Sequence, residues 1–140
     1  MSLFAKKTKD KKVGVQSFIL KLVNTNCRDL RNVGDGPRNE NRVPLVLVTM
    51  IVPFRERPLA AEAFATITIE FTTSGLSVLM HGLCPYEKVV VAFRNEGAMH
   101  YLLAETKHLN PLGAGMFQLG LQLVEVLRAA DYPELQSVYF

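Results

Sequence analysis

Residues 116–126, MFQLGLQLVEV, show the most regular alternation of apolar and polar side chains in this sequence and decide its fold class. One side of the extended chain carries Phe117, Leu119, Leu121 and Leu123, and the other carries Gln118, Gly120 and Gln122. A period of two residues is typical of a β-strand that buries one of its faces. We therefore predict a strand here with an apolar inner face and a polar outer face.

Five segments upstream have the same character. They are residues 45–52, 63–71, 75–81, 88–93 and 99–109, joined by short links that are mostly rich in Gly, Pro or Asn. The link at residues 95–97, Asn-Glu-Gly, is typical of a hairpin loop. Six short strands with turn-like links favour an antiparallel sandwich or barrel over βαβ units. Within residues 63–71 we expect Ile67, Ile69 and Phe71 on one face and the polar residues Thr66, Thr68 and Glu70 on the other.

The segments outside these strands divide the chain further. Residues 1–12 hold five lysines and one acid, Asp10, and we expect a basic flexible tail there. Apolar residues between Ser17 and Leu30 recur at helical spacing, with Ser17 as a possible cap. We assign residues 13–43 to this helix and an arginine-bearing loop, and residues 44–140 to the barrel. A short C-terminal helix, interrupted at Pro133, ends the chain.

The composition excludes several classes of protein. The 140 residues fit a single domain. Outside the tail, 11 basic and 12 acidic residues nearly cancel, which argues against a DNA- or RNA-binding face. No apolar run approaches the ~20 residues of a membrane span. The two cysteines, Cys27 and Cys84, lie far apart as ordinary thiols would, and a cytoplasmic location is expected.

Catalytic and metal-binding patterns are not evident. The histidines His81, His100 and His108 do not form an HExxH motif, and the sequence contains neither GxGxxG nor GxSxG. We therefore expect a protein that is not an enzyme, with no metal site and no resident cofactor. A flavin-binding enzyme on a small split barrel is a distant alternative.

Two polar motifs stand out from this background. Residues 38–42, RNENR, lead into Val43-Pro44, and residues 70–75, EFTTSG, run from the end of the predicted strand 63–71 into the turn after it. The first resembles the RxxxR motif of the PilZ domain family, and the second resembles the family's [D/N]xSxxG motif. Glu70 stands where the family has Asp or Asn, and Thr72 where it has Ser. Residues 117–123 look like the glycine-containing last strand of the same barrel, so the resemblance covers about residues 38–126.

This resemblance implies a fold, a ligand and a set of site residues. The fold is mainly β: a six-stranded antiparallel β-barrel of the PilZ-like split type, with an N-terminal helix and a short C-terminal helix. The ligand is cyclic di-GMP, a bacterial signalling dinucleotide, bound by Arg38, Arg42, Glu70, Thr72 and Gly75. An arginine fork can pair with a phosphate or a guanine edge, and a carboxylate can accept from guanine N–H groups. Gly75 would let the backbone approach closely and would allow a positive φ.

The sequence is compatible with more than one function. In the favoured hypothesis, the loop of residues 31–43 orders around the nucleotide and changes docking on an unidentified protein partner. In the second, the changes at Glu70 and Thr72 have abolished nucleotide binding and the barrel serves as a PilZ-like interaction adaptor. Arg38 and Arg42 could also be plain solvated loop residues. Arg28 and Arg31 could add phosphate contacts or interact with a helix C-terminus.

Overall fold

A computed structural model of the chain describes residues 3–26 and 42–140, with helix side chains described from Asp10 onward. Helix α1 spans Leu3–Asn26. The strands are β1 (Val43–Pro44), β2 (Val48–Arg55), β3 (Arg57–Pro58), β4 (Phe64–Phe71), β5 (Gly75–His81), β6 (Lys88–Asn95), β7 (Ala98–Gly113) and β8 (Met116–Leu127). Short 3-10 helices cover Ala60–Glu62, Ala129–Asp131 and Pro133–Ser137.

The six long strands form a closed antiparallel barrel. The strand order is β1-β4-β5-β8-β7-β6-β2-β3, and an additional pairing of β2 with β4 closes the ring. The two-residue strands β1 and β3 extend the sheet beside β4 and β2. The predicted six-stranded barrel is confirmed, and the expected hairpin at Glu96-Gly97 joins β6 to β7 with both residues at positive φ.

The barrel interior is filled from β8 and its neighbours and is covered by α1. Leu119, Leu121 and Leu123 are buried, as the alternation in β8 predicts. Helix α1 adds Val15, Phe18, Ile19 and Leu22 to the same apolar cluster. These helix residues follow the spacing of one helical face, so burial of that face holds α1 against the barrel.

A second apolar cluster lies on the outside of the barrel wall. Its strand residues, contributed by β2, β6, β7 and β8, are Val52, Val90, Ala92, Tyr101, Leu103 and Leu127. Leu135 and Val138, from the C-terminal segment, cover them. Strand β6 is therefore buried on both faces, which explains its unbroken apolar run.

Strand β4 departs from the predicted pattern of faces. Thr68 is fully buried, whereas Ile67 is exposed. The Thr68 hydroxyl donates to the Leu45 carbonyl at 2.6 Å and accepts from the Leu47 amide at 2.8 Å, so its burial leaves no unpaired polar group. An irregularity in the β4–β5 register between Thr68 and Glu70 then shifts the alternation and returns Phe71 to the core.

The N-terminal end of the chain differs from expectation, whereas the C-terminal segment follows it. Helix α1 begins at Leu3 and includes the lysine run that we expected to be a flexible tail; lysine is a good helix former, and the buried face of α1 anchors the segment. Ser17 is accordingly inside the helix and not its cap. The expected short helix interrupted at Pro133 takes the form of two 3-10 helices, because Tyr132 precedes Pro133 and lies outside the helical region at φ −134°.

Candidate functional site

A polar depression of about 670 Å³ lies on the outer side of β4, β5, β7 and β8. Side chains that alternate with the core residues of these strands line much of it. The lining residues are Arg42, Ile69, Glu70, Thr72, Ser74, Gly75, Leu76, Ser77, Lys107, His108, Asn110, Gln118, Gly120, Leu121 and Gln122. The outer face that the sequence predicts for β8 is therefore the floor of this depression.

Arg42 and Glu70 contact each other at one side of the depression. Arg42 Nη1 lies 3.5 Å from Glu70 Oε1. Strand β1 produces this proximity because it pairs Pro44 with Glu70 and Val43 with Phe71. The loop that carries the first motif is thus attached at its C-terminal end to the strand that carries the second.

Glu70 is also linked to the floor of the depression. Gln118 Nε2 lies 3.5 Å from Glu70 Oε1 and donates to Ser77 Oγ at 2.9 Å. The Glu70 side chain is half-buried, with 28% of its area exposed. Its carboxylate is therefore placed between a cation and an amide, and it remains within reach of a ligand.

The corner formed by residues 72–75 is shaped by close backbone contacts. The Thr72 amide donates to the Gly75 carbonyl at 2.9 Å, and the Ser74 amide lies 3.4 Å from Thr72 Oγ1. A Cβ on Gly75 would lie 2.3 Å from the Leu121 carbonyl oxygen, so glycine is needed for β5 to approach β8. Gly75 is not at positive φ, and that part of its expected role is wrong.

Four of the five sequence-predicted site residues meet in this depression: Arg42, Glu70, Thr72 and Gly75 all line it. The fifth, Arg38, lies outside the described residues, as do Arg28, Arg31 and Cys27. Most of the loop of residues 31–43 also lies outside them, so its ordering around a ligand stays a prediction.

Sequence reasoning missed several lining residues: Ser77, Lys107, His108, Asn110, Gln118 and Gln122. The alternation of β8 already placed Gln118 and Gln122 on the polar face, and this signal was sufficient to find them. The residues of β7 could not be found in this way, because the face on which they lie depends on a register irregularity between Thr106 and His108.

The depression combines cationic, acidic and amide groups, which suits a ligand with both phosphates and heterocyclic edges. Arg42 and Lys107 supply positive charge, and Lys107 Nζ lies 3.1 Å from Glu105 Oε2. Gln118, Gln122 and Asn110 supply amides that both donate and accept hydrogen bonds.

No helix in the described part of the chain has the length and apolar character that crossing a bilayer requires.

Comparison with solved structures finds a protein of similar fold. The structure is similar to that of the Bacillus subtilis inhibitor of motility (MotI/DgrA), with a TM-score of 0.49 and 18% sequence identity. The match covers 73% of this chain and 49% of the other, so this chain spans about half the length of that structure. No family model and no curated protein matches the sequence.

Proposed function

We propose that this chain is a signalling module that binds cyclic di-GMP in the depression beside Arg42 and Glu70. One observation carries the proposal. Arg42 of the first motif lies 28 residues before Glu70 of the second, and it lines the same depression as Glu70, Thr72 and Gly75. Solvated loop residues chosen at random would have no reason to converge in this way.

The contact between Arg42 and Glu70 suits a site that exchanges partners on binding. Its 3.5 Å separation is long, and the Arg42 side chain is 56% exposed. Exposed ion pairs of this kind contribute little to stability, typically ~0–1 kcal/mol. A ligand can therefore replace it at low cost, with Arg42 turning to a phosphate or guanine edge and Glu70 accepting from guanine N–H groups.

The dimensions of the depression also support a dinucleotide ligand. Its volume of about 670 Å³ falls within the range of pockets that bind compact organic ligands. The Thr72 hydroxyl and the amides of Gln118 and Gln122 surround the charged pair and offer further hydrogen bonds. We infer that Arg38, four residues before Arg42, closes on the ligand from the same side.

The attachment of the loop to β4 suggests how binding is transmitted. Because β1 pairs with β4 beside Glu70, a ligand that binds Glu70 and Arg42 acts directly on the loop's fixed end. In this proposal, residues 31–43 order over the nucleotide and present an altered surface to a protein partner in the bacterial cytoplasm. The role is one of binding and regulation, and no catalytic step is part of it.

Calorimetric titration with cyclic di-GMP tests the proposal. We expect saturable heat for the native chain and a loss of about ten- to a hundredfold in affinity for Arg42→Ala and for Arg38→Ala, the range expected for one bidentate contact. Arg128→Ala is a matched control, since Arg128 is highly exposed and contacts Asp131 away from the depression. Heat that is absent, or equal in all three variants, would contradict the proposal.

A second candidate function is a PilZ-like interaction adaptor that no longer binds the nucleotide. The observation in its favour is that Glu70, already longer than the family's Asp, lies within 3.5 Å of both Arg42 and Gln118. If these contacts persist when cyclic di-GMP is present, the Glu70 carboxylate cannot accept hydrogen bonds from guanine. A melting temperature that excess cyclic di-GMP does not change, together with co-purification of a protein partner, would favour this function.

A further inference from the structure

His108 occupies an unusual position at the far side of the depression. It pairs with Gly120 in the β7–β8 register. Gly120 is buried although it belongs to the outer face of β8. A Cβ on Gly120 would lie 2.5 Å from His108 Nε2, 2.7 Å from Cε1 and 3.0 Å from Cδ2. The imidazole therefore fills the space that any other residue at position 120 would occupy.

These three distances also give the orientation of the ring. Nε2 is bonded to both Cε1 and Cδ2, and a ring pointing edge-on at the Cβ position would place those two carbons distinctly farther away than Nε2. The three distances differ by only a few tenths of an ångström, so the ring lies with one face against Gly120. His108 is exposed, and its opposite face is open to the depression.

An irregularity in β7 places His108 on this side of the barrel. Thr106 pairs with Leu121, and the next pair is His108 with Gly120, so Lys107 is an inserted residue. Without the insertion, Lys107 would face Gly120 and the His108 side chain would point inward. β-bulges re-aim side chains in this way and are common beside functional sites.

A row of paired residues across neighbouring strands connects His108 to Glu70. Glu70 pairs with Ser77, Ser77 with Gly120, and Gly120 with His108. Adjacent strands lie about 5 Å apart, so Gly120 and the ring upon it are about 10 Å from Glu70 along this row. This separation suits a ligand with two flat bases joined by phosphates.

We propose that His108, held face-down on Gly120, is a stacking platform for a purine base. On the proposed function, on which this inference rests, the base is the second guanine of the dinucleotide, while the first lies at Arg42 and Glu70. Aromatic side chains, histidine included, bind unpaired bases by stacking on their faces. Because the His108 ring is already held against Gly120, its side chain loses little conformational entropy when a base stacks on the open face.

Three variants of the full chain test the platform by calorimetry with cyclic di-GMP. His108→Ala removes the ring, and we expect about a tenfold loss of affinity, the scale of one base–aromatic stack. His108→Phe keeps a flat ring and should bind within about threefold of the native chain. Gly120→Ala displaces the ring without removing it and should weaken binding as His108→Ala does. His81→Ala is the control, because His81 lies beside a different groove.

A second measurement separates this inference from the proposed function. Guanosine monophosphate is titrated at millimolar concentration while the His108 Cε1 proton is followed by NMR. Stacking shifts this proton upfield in a saturable way, and the Arg42→Ala variant should retain the shift.

Each outcome decides between the two proposals. Cyclic di-GMP binding that is unchanged in His108→Ala overturns the platform and leaves the proposed function standing. If the native chain binds no cyclic di-GMP, the proposed function fails, and the guanosine monophosphate titration alone then decides: an upfield shift supports the platform, and its absence overturns it.

Discussion

Two outer surfaces of the same barrel are used in opposite ways. On one side, the outward residues of β6, Val90 and Ala92, are apolar and lie fully buried beneath Leu135 and Val138. On the other side, the outward residues of β8 from Gln118 to Gln122 are polar or glycine and form the floor of a depression. The outward side chains of a strand therefore determine whether other segments of the chain pack on its surface or whether that surface stays accessible to a ligand.

The covered surface is secured by polar as well as apolar contacts. The Tyr101 hydroxyl donates to the Val138 carbonyl at 2.7 Å and lies 3.1 Å from the Leu135 carbonyl. The hydroxyl gives the Val138 carbonyl a partner, and the Leu135 carbonyl also accepts from the Val138 amide at 2.9 Å. The open surface instead leaves groups such as the Gln122 amide exposed, so we expect mutations there to change binding more than stability.

The largest expected effect tests the covered surface. Leu135 is fully buried, and Leu135→Ala should lower the free energy of unfolding by about 2–4 kcal/mol through lost burial and a residual cavity. Gln122→Ala on the open surface should change it by less than about 0.5 kcal/mol. Urea unfolding of both variants measures the two values. Equal effects would contradict the comparison between the surfaces.

A smaller effect is expected from restoring the family's residues on the open surface. Glu70→Asp combined with Thr72→Ser shortens the carboxylate and removes a methyl group from the corner of the depression. If the two departures weaken binding, the double variant should bind cyclic di-GMP about tenfold more tightly, equivalent to one recovered polar contact. Calorimetry measures the change, and Thr73→Ser, one residue along, is the control. Weaker binding by the double variant would show that the native Glu70 and Thr72 suit the ligand better than the family's residues do.

The sequence predicted those features that depend on local pattern. The inner and outer faces of β8 follow directly from its alternation, and Glu96-Gly97 marks a hairpin through its turn chemistry. Arg42 and Glu70 were found because each lies in a recognisable motif.

The missed features depend on pairing between distant strands. The burial of Thr68 requires partners at Leu45 and Leu47, more than 20 residues away. The outward side chain of His108 follows from one inserted residue in the β7–β8 register. An alternating pattern carries no record of such an insertion, because a single-residue shift exchanges the two faces of a strand.

The smallest expected effect concerns the charged contact that fastens the C-terminal segment. Glu134 accepts two hydrogen bonds from Arg57, at 2.7 and 2.8 Å, and these lower the pKa of the Glu134 carboxyl. A carboxylate with a lowered pKa in the folded state contributes stability above its unfolded pKa, near 4.3, and loses it as the pH falls through the folded value. The melting temperature of Glu134→Gln should therefore lie below that of the native chain at pH 7, and the two should converge towards pH 3. The difference should be small because both side chains are partly exposed.

Glu105→Gln beside the depression, where the carboxylate contacts Lys107, is the matched control. A difference for Glu134→Gln that persists at pH 3 would show that this contact acts by packing and not by charge.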